Sequence, residues 1–243
     1  MQIDALAVRL RPRSAMEATD LGVRLCQSAA RSVFPCYAMV AVPVMGLALA
    51  SGQIAAWLPI PAIWFAKPWL DRTILFVLSR AAFGQRTSPA DVWRGQRVIW
   101  WRQLLFTSTI RRLSLWRSLT QPVYQLEGLS IFKAGTRVRQ IRRRSAAGAA
   151  VMTSVFSMAE MALTIAITSL VFWFAPSGQA SDMLQMVSGD SPFWWITLAA
   201  AYAFAVLFLE PFYVAAGFAI YLTRRTELEA WDIEQEFRRA FAV

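Results

Sequence analysis

The chain has 243 residues, 57% of them hydrophobic, with a mean hydropathy of +0.42 and a formal net charge of +10. That apolar fraction lies outside ordinary soluble composition and points to a membrane protein. Histidine is absent, which removes the commonest metal ligand and the usual general base near neutral pH, so histidine-dependent chemistry is excluded and neither metal nor cofactor is expected.

The first 32 residues carry Arg9, Arg11 and Arg13, then a mixed stretch before hydrophobicity rises at Val33. A cleavable leader has its basic residues directly before its apolar core and a small-residue cleavage site after it. Neither pattern is present, so the first apolar segment is expected to remain as an anchor. "SAME", Ser14 to Glu17, has capping-box spacing and opens an amphipathic stretch through Leu21 and Leu25. This helix either packs on the membrane bundle or offers a docking face. Cys26 and Cys36 stand ten apart without a CxxC pattern and read as buried or interfacial thiols.

Residues 33–66 form two apolar runs, Val33 to Ala50 with Pro35 and Pro43, and Ile54 to Ala66 with Pro59 and Pro61. Only Ser51, Gly52 and Gln53 separate them, which predicts a helical hairpin. As a helix the second run covers only about 20 Å of a roughly 30 Å hydrocarbon core. It is therefore either re-entrant or extended into "KPWLDRTILFVL".

Residues 67–148 are basic and rich in tryptophan and arginine, as in "DVWRGQRVIWWRQLLF" and "RRLSLWRSL". Both residue types favour the headgroup level, which predicts segments lying in the interface. The run "TRVRQIRRRS" places Arg137, Arg139, Arg142, Arg143 and Arg144 just before the next apolar segment. Each is worth about 1 kcal/mol of attraction to an anionic leaflet, so these five are candidate headgroup ligands; the plainer alternative is that they only set topology.

Residues 149–222 hold two runs long enough to cross a membrane, Ala149 to Phe174 and Phe193 to Leu222. The connection "APSGQASDMLQMVSGDS" has no basic residue. All 25 lysines and arginines fall in the N-terminal stretch, between Lys67 and Arg144, or after Leu222. By the positive-inside rule those regions, with both termini, are expected on the cytoplasmic side of a bacterial inner membrane. So distributed, the charge points to topology and anionic lipid rather than to nucleic acid. The expected architecture is all-α, with about four transmembrane helices arranged as two hairpins plus interfacial amphipathic helices.

Two carboxylates interrupt this last hairpin, Glu160 and Glu210, each about twelve residues from its cytoplasmic end and so roughly 18 Å deep. Thr153, Ser157, Glu160, Thr164 and Thr168 share one helical face, as do Glu210, Tyr213, Gly217 and Tyr221. Neither span contains a lysine or arginine, so at least one of the two glutamates is expected to be neutral. Glu160, Glu210, Ser157, Thr164 and Tyr213 form the candidate intramembrane site. It either fixes helix register or handles a cation or proton, and Pro211, beside Glu210, frees a backbone carbonyl nearby.

The tail, residues 223–243, opens on "TELE", Thr226 to Glu229, again with capping-box spacing. Its apolar face makes Trp231, Ile233 and Phe237 candidates for docking a partner, either another membrane protein or a second copy in a homo-oligomer. The segments "RLSLWRSLTQPVYQLEGL" and "YLTRRTELEAWDIEQEFRR" resemble those of a group of bacterial multi-pass inner-membrane proteins of unassigned activity. That group is similar to the membrane domain attached to some glycerophosphodiester phosphodiesterases. Its members are often encoded beside an AAA-type ATPase and a transglutaminase-like membrane protein. The resemblance implies location and company, and it carries over no catalytic residue and no phosphodiesterase activity. Together these readings favour a non-enzymatic membrane scaffold or accessory subunit, with an ion- or proton-coupled transport component as the alternative.

Overall fold

A computed structural model of the chain describes residues 13–96, 114–128, 131–174 and 192–229. Among the described residues 88% are helical and none lies in a strand. The elements are α1 (Ala15–Ser28), α2 (Ala30–Ala50), a 3-10 turn (Ser51–Gln53), α3 (Pro59–Ala81), α4 (Pro89–Arg94), α5 (Arg117–Leu126), α6 (Ile131–Trp173) and α7 (Pro192–Glu229).

Helix α1 starts where the sequence predicts: the Ser14 hydroxyl accepts from the Glu17 amide at 3.3 Å, satisfying one of the free donors at a helix start. Its inner face is Ala18, Gly22, Leu25 and Cys26, the three- and four-residue spacing of one helical stripe. That stripe lies on α7, and the approach is close enough that a Cβ on Gly22 would stand 2.3 Å from the Ala215 carbonyl oxygen. Of the two expectations for this helix, packing on the bundle is the one observed.

Helices α2 and α3 form the expected hairpin about the Ser51–Gln53 turn. Pro59 is the first residue of α3, where a missing amide costs nothing and the fixed φ suits the helix. The helix does not stop at Ala66. It continues through "KPWLDRTILFVL" to Ala81, 23 residues in all, or about 34 Å. Lys67, Asp71 and Arg72 are buried along it.

Among the described residues three helical stretches are long and apolar enough to cross a membrane: Ala30–Gln53, Lys133–Val171 and Phe193–Glu229, with mean hydropathy 2.0, 1.7 and 1.9. The described residues thus form an all-α membrane protein with three apolar candidate spans, and α3, diluted by its charges, is the polar companion of α2. Helix α7 is the hub, with α1, α2, α3, α5 and α6 all packed on it. Within its most apolar window 72% is buried inside the protein, against 11% for α6. Helix α6 is therefore peripheral, and its outer face carries exposed Val151, Val155, Met158, Met161 and Ile165.

Two helix boundaries differ from the sequence expectation. The basic run 136–145 belongs to α6 itself, continuous with the span. "TELE" does not start a helix, because α7 runs unbroken to Glu229 and the Thr226 hydroxyl donates back to the Leu222 carbonyl at 2.9 Å. A threonine hydroxyl serves either as a cap or as a back-bonding group, and an uninterrupted helix leaves only the second. A capping box is found instead at Ser88 and Asp91, opening α4. Trp231, Ile233 and Phe237 lie outside the described residues.

Both cysteines are free and buried. Burial pushes the Cys26 thiol up to about 12, which keeps it protonated and unreactive.

The small-residue contacts set the helix spacing. Gly217 meets α5 so closely that a Cβ there would lie 2.3 Å from the Ser118 Cβ, whereas Gly46 has nothing within 4 Å. Gly22→Val should therefore destabilise the folded protein by about 1–3 kcal/mol through overpacking, while Gly46→Ala should be neutral or slightly stabilising. Thermal unfolding of both variants in one detergent measures the contrast.

Candidate functional site

Four helices bring charged side chains to one place inside the bundle. Lys67 and Asp71 stand four residues apart on one face of α3, Arg117 is the first residue of α5, Glu160 lies on α6 and Glu210 on α7. Lys67 Nζ lies 2.6 Å from Glu160 Oε2 and 2.8 Å from Glu210 Oε2. Arg117 Nη2 is 2.7 Å from Glu210 Oε1, and its Nε is 3.2 Å from Asp71 Oδ2. The result is a chain of alternating sign, Glu160, Lys67, Glu210, Arg117, Asp71, which begins and ends on a carboxylate.

Both glutamates thus share Lys67, so the counter-ion whose absence led to the expectation that at least one of them is neutral is present. The cations come from α3 and α5, outside the two spans that contain the glutamates. Position along the network also separates the carboxylates. Glu210 is held by two cations and its side chain is 2% exposed, whereas among the described residues Glu160 has only its share of Lys67 and is 16% exposed. Asp71 is fully buried, and its contact with Arg117 is an ion pair without a well-aligned hydrogen bond among the described residues.

Beside this network lies a cavity of about 490 Å³ between α3, α6, α7 and the start of α5, within the range of small-molecule sites. Lys67, Arg117, Glu160 and Glu210 border it, and Trp64, Phe156, Met161, Ile165, Leu198 and Leu209 supply apolar walls. Met161 and Ile165 are also exposed on the outer face of α6, so the cavity reaches the protein surface there. All five residues of the expected intramembrane site, Glu160, Glu210, Ser157, Thr164 and Tyr213, line it.

Among the described residues no hydrogen bond joins Ser157, Thr164 or Tyr213 to either carboxylate. The Thr164 hydroxyl donates to the Glu160 backbone carbonyl at 2.8 Å, and the Tyr213 hydroxyl lies 3.4 Å from that of Thr153. The tyrosines face the cations: the Arg117 guanidinium is 5.3 Å from the Tyr213 ring centre, and Lys67 Nζ is 5.9 Å from that of Tyr202. Both distances fall within cation–π range.

The basic end of α6 divides. Arg137 is committed to the protein, pairing with Glu229 and, at 3.2 Å, with Glu127. Glu127 also accepts from the Tyr221 hydroxyl at 2.8 Å, so this second cluster fastens the start of α6 to the end of α7. Arg142 stacks 3.6 Å over the Trp116 ring. Arg139, Arg143 and Arg144 are exposed, and of the five candidate headgroup ligands these three are the most open to an anionic partner.

Lys67, Asp71 and Arg117 were missed in the sequence. The available signal was in "KPWLDR", where a lysine and an aspartate fall on one helical face directly after an apolar run. Compared with protein-family models, with curated proteins and with solved structures, the chain matches none.

Lys67→Met should cost about 3–5 kcal/mol, the usual penalty for removing one partner from a buried ion pair. Adding Glu160→Gln should recover part of that loss by removing the carboxylate left without a cation. Unfolding of the single and double variants tests the coupling.

Proposed function

We propose that this protein is a non-enzymatic, multi-pass scaffold or accessory subunit of a bacterial inner membrane, with anionic lipids as integral ligands. The observation that carries the reading is the outer face of α6. It is unpacked along its length, basic at Lys133, Arg139, Arg143 and Arg144 and apolar from Val151 onward. From Arg144 to the exposed Trp173 the helix spans about 44 Å, close to the full thickness of a bilayer with its headgroups. Arginine at one end and tryptophan at the other is the anchoring pattern of a helix that faces lipid. The resemblance to bacterial inner-membrane proteins supports the same location. The distribution of lysine and arginine favours cytoplasmic termini, which requires the α2–α3 hairpin to return to the side from which it starts. The tail bearing Trp231, Ile233 and Phe237 is the proposed site for a protein partner.

A second reading, a transport component, rests on the cavity that reaches Glu160. In it Glu160 exchanges its share of Lys67 for a proton or a ligand, while Glu210 keeps Arg117. Glu160→Gln should then abolish ion-dependent flux in reconstituted vesicles without unfolding the protein; unchanged flux would reject this reading.

For the scaffold reading, replacing Arg139, Arg143 and Arg144 together by serine should reduce the phosphatidylglycerol or cardiolipin that co-purifies by about tenfold or more, since three headgroup contacts of roughly 1 kcal/mol are lost. Removing the residues after Arg225 should release any stoichiometric protein partner. Native mass spectrometry of nanodisc-extracted protein reads both outcomes. Undiminished lipid in the triple variant would reject the proposed lipid contacts.

A further inference from the structure

We infer that the cavity between α3, α6 and α7 binds an amphipathic organic cation, with Glu160 as its counter-ion. The inference rests on the second reading above and adds the class of ligand.

Three features select that class. The first is charge. Lys67 and Arg117 each lie against two carboxylates, Glu160 and Glu210 for the first and Asp71 and Glu210 for the second, whereas Glu160 has a single cation partner among the described residues. A ligand cation can therefore take Glu160 as a second partner without displacing either protein cation. An anion would instead have to draw Lys67 or Arg117 away from carboxylates already paired in a low-dielectric interior, at high cost.

The second feature is which carboxylate the cavity reaches. Glu210 and Asp71 are closed off, 2% and 0% exposed, whereas Glu160 keeps 16% of its side-chain surface and borders the cavity. A ligand cation there would share Glu160 with Lys67, and the neighbouring Tyr202 and Tyr213 rings already lie within reach of protein cations.

The third is the wall. Trp64, Phe156, Ile165, Leu198 and Leu209 present apolar and aromatic surface, while exposed Met161 and Ile165 place the mouth on the lipid-facing side of α6. A small hydrated inorganic ion leaves such walls unused. A cation carrying an apolar body fills them and enters from the hydrocarbon, where it is already concentrated. The shape, charge and entry route agree on one kind of molecule.

The test uses the full-length protein in nanodiscs titrated with tetraphenylphosphonium and with tetraphenylborate, ions of matched size and opposite charge. Saturable binding of the phosphonium alone is expected, weakened about tenfold by Glu160→Gln. Because that substitution also alters the partners of Lys67, Met161→Trp provides an independent check. It narrows the mouth without touching the ion network and should weaken binding comparably. Equal binding of the borate, or phosphonium binding indifferent to both substitutions, overturns the inference. So does absence of phosphonium binding by the wild-type protein; if Glu160→Gln still abolishes ion-dependent flux in that case, the transport reading survives and only the ligand class fails.

Discussion

The double ion pair of Lys67 with Glu160 and Glu210 is the constraint on which the rest of the bundle depends. Charges at this depth are tolerated only when each has an opposite charge in contact, because water is not there to screen or solvate them. Lys67 and Asp71 would be hard to accommodate on a helix of the bundle alone, and Glu160 and Glu210 equally so. Brought together, the alternating chain from Glu160 to Asp71 holds α3, α5, α6 and α7 in one relative position. Apolar packing inside a bilayer gives little directional preference, since a leucine against lipid resembles a leucine against a helix. Directional ion pairs supply the register that such packing lacks.

Small residues do the complementary work along α7. Gly22 lets α1 rest on the backbone at Ala215 and Ala216, and Gly217 admits Ser118 of α5. Helix α5 is thus held twice, by Arg117 to the carboxylates and by Ser118 against Gly217. The second cluster, in which Arg137 joins Glu127 and Glu229 while Tyr221 donates to Glu127, closes the bundle where α6 begins and α7 ends. With α7 enclosed, α6 is left at the edge, and the cavity opens where this peripheral helix meets the core.

The same arrangement distinguishes two carboxylates that look alike in the sequence. Both lie in apolar runs at similar depth, and both touch Lys67. Glu210 sits on the enclosed helix and gains Arg117, whereas Glu160 sits on the edge helix and faces the cavity. Their chemical roles diverge because of where their helices pack.

Much of this protein was legible from local pattern. Hydropathy marked the apolar helices and the α2–α3 hairpin, Ser14 marked the start of α1, and three- and four-residue spacing gathered Ser157, Glu160 and Thr164 on the face that now lines a cavity with Glu210 and Tyr213. Those features depend on residues within a turn or two of one another, so the sequence by itself determined them. The cations were another matter. Lys67 and Glu160, like Arg117 and Glu210, are separated by 93 residues, and no periodicity within a window reports a contact at that range. Read locally, Lys67 and Arg117 belong to a basic, interfacial region, and "TELE" is as good a cap as "SAME". Only the tertiary structure decided these cases, because the cost of a charge or the use of a hydroxyl is set by what the fold places beside it.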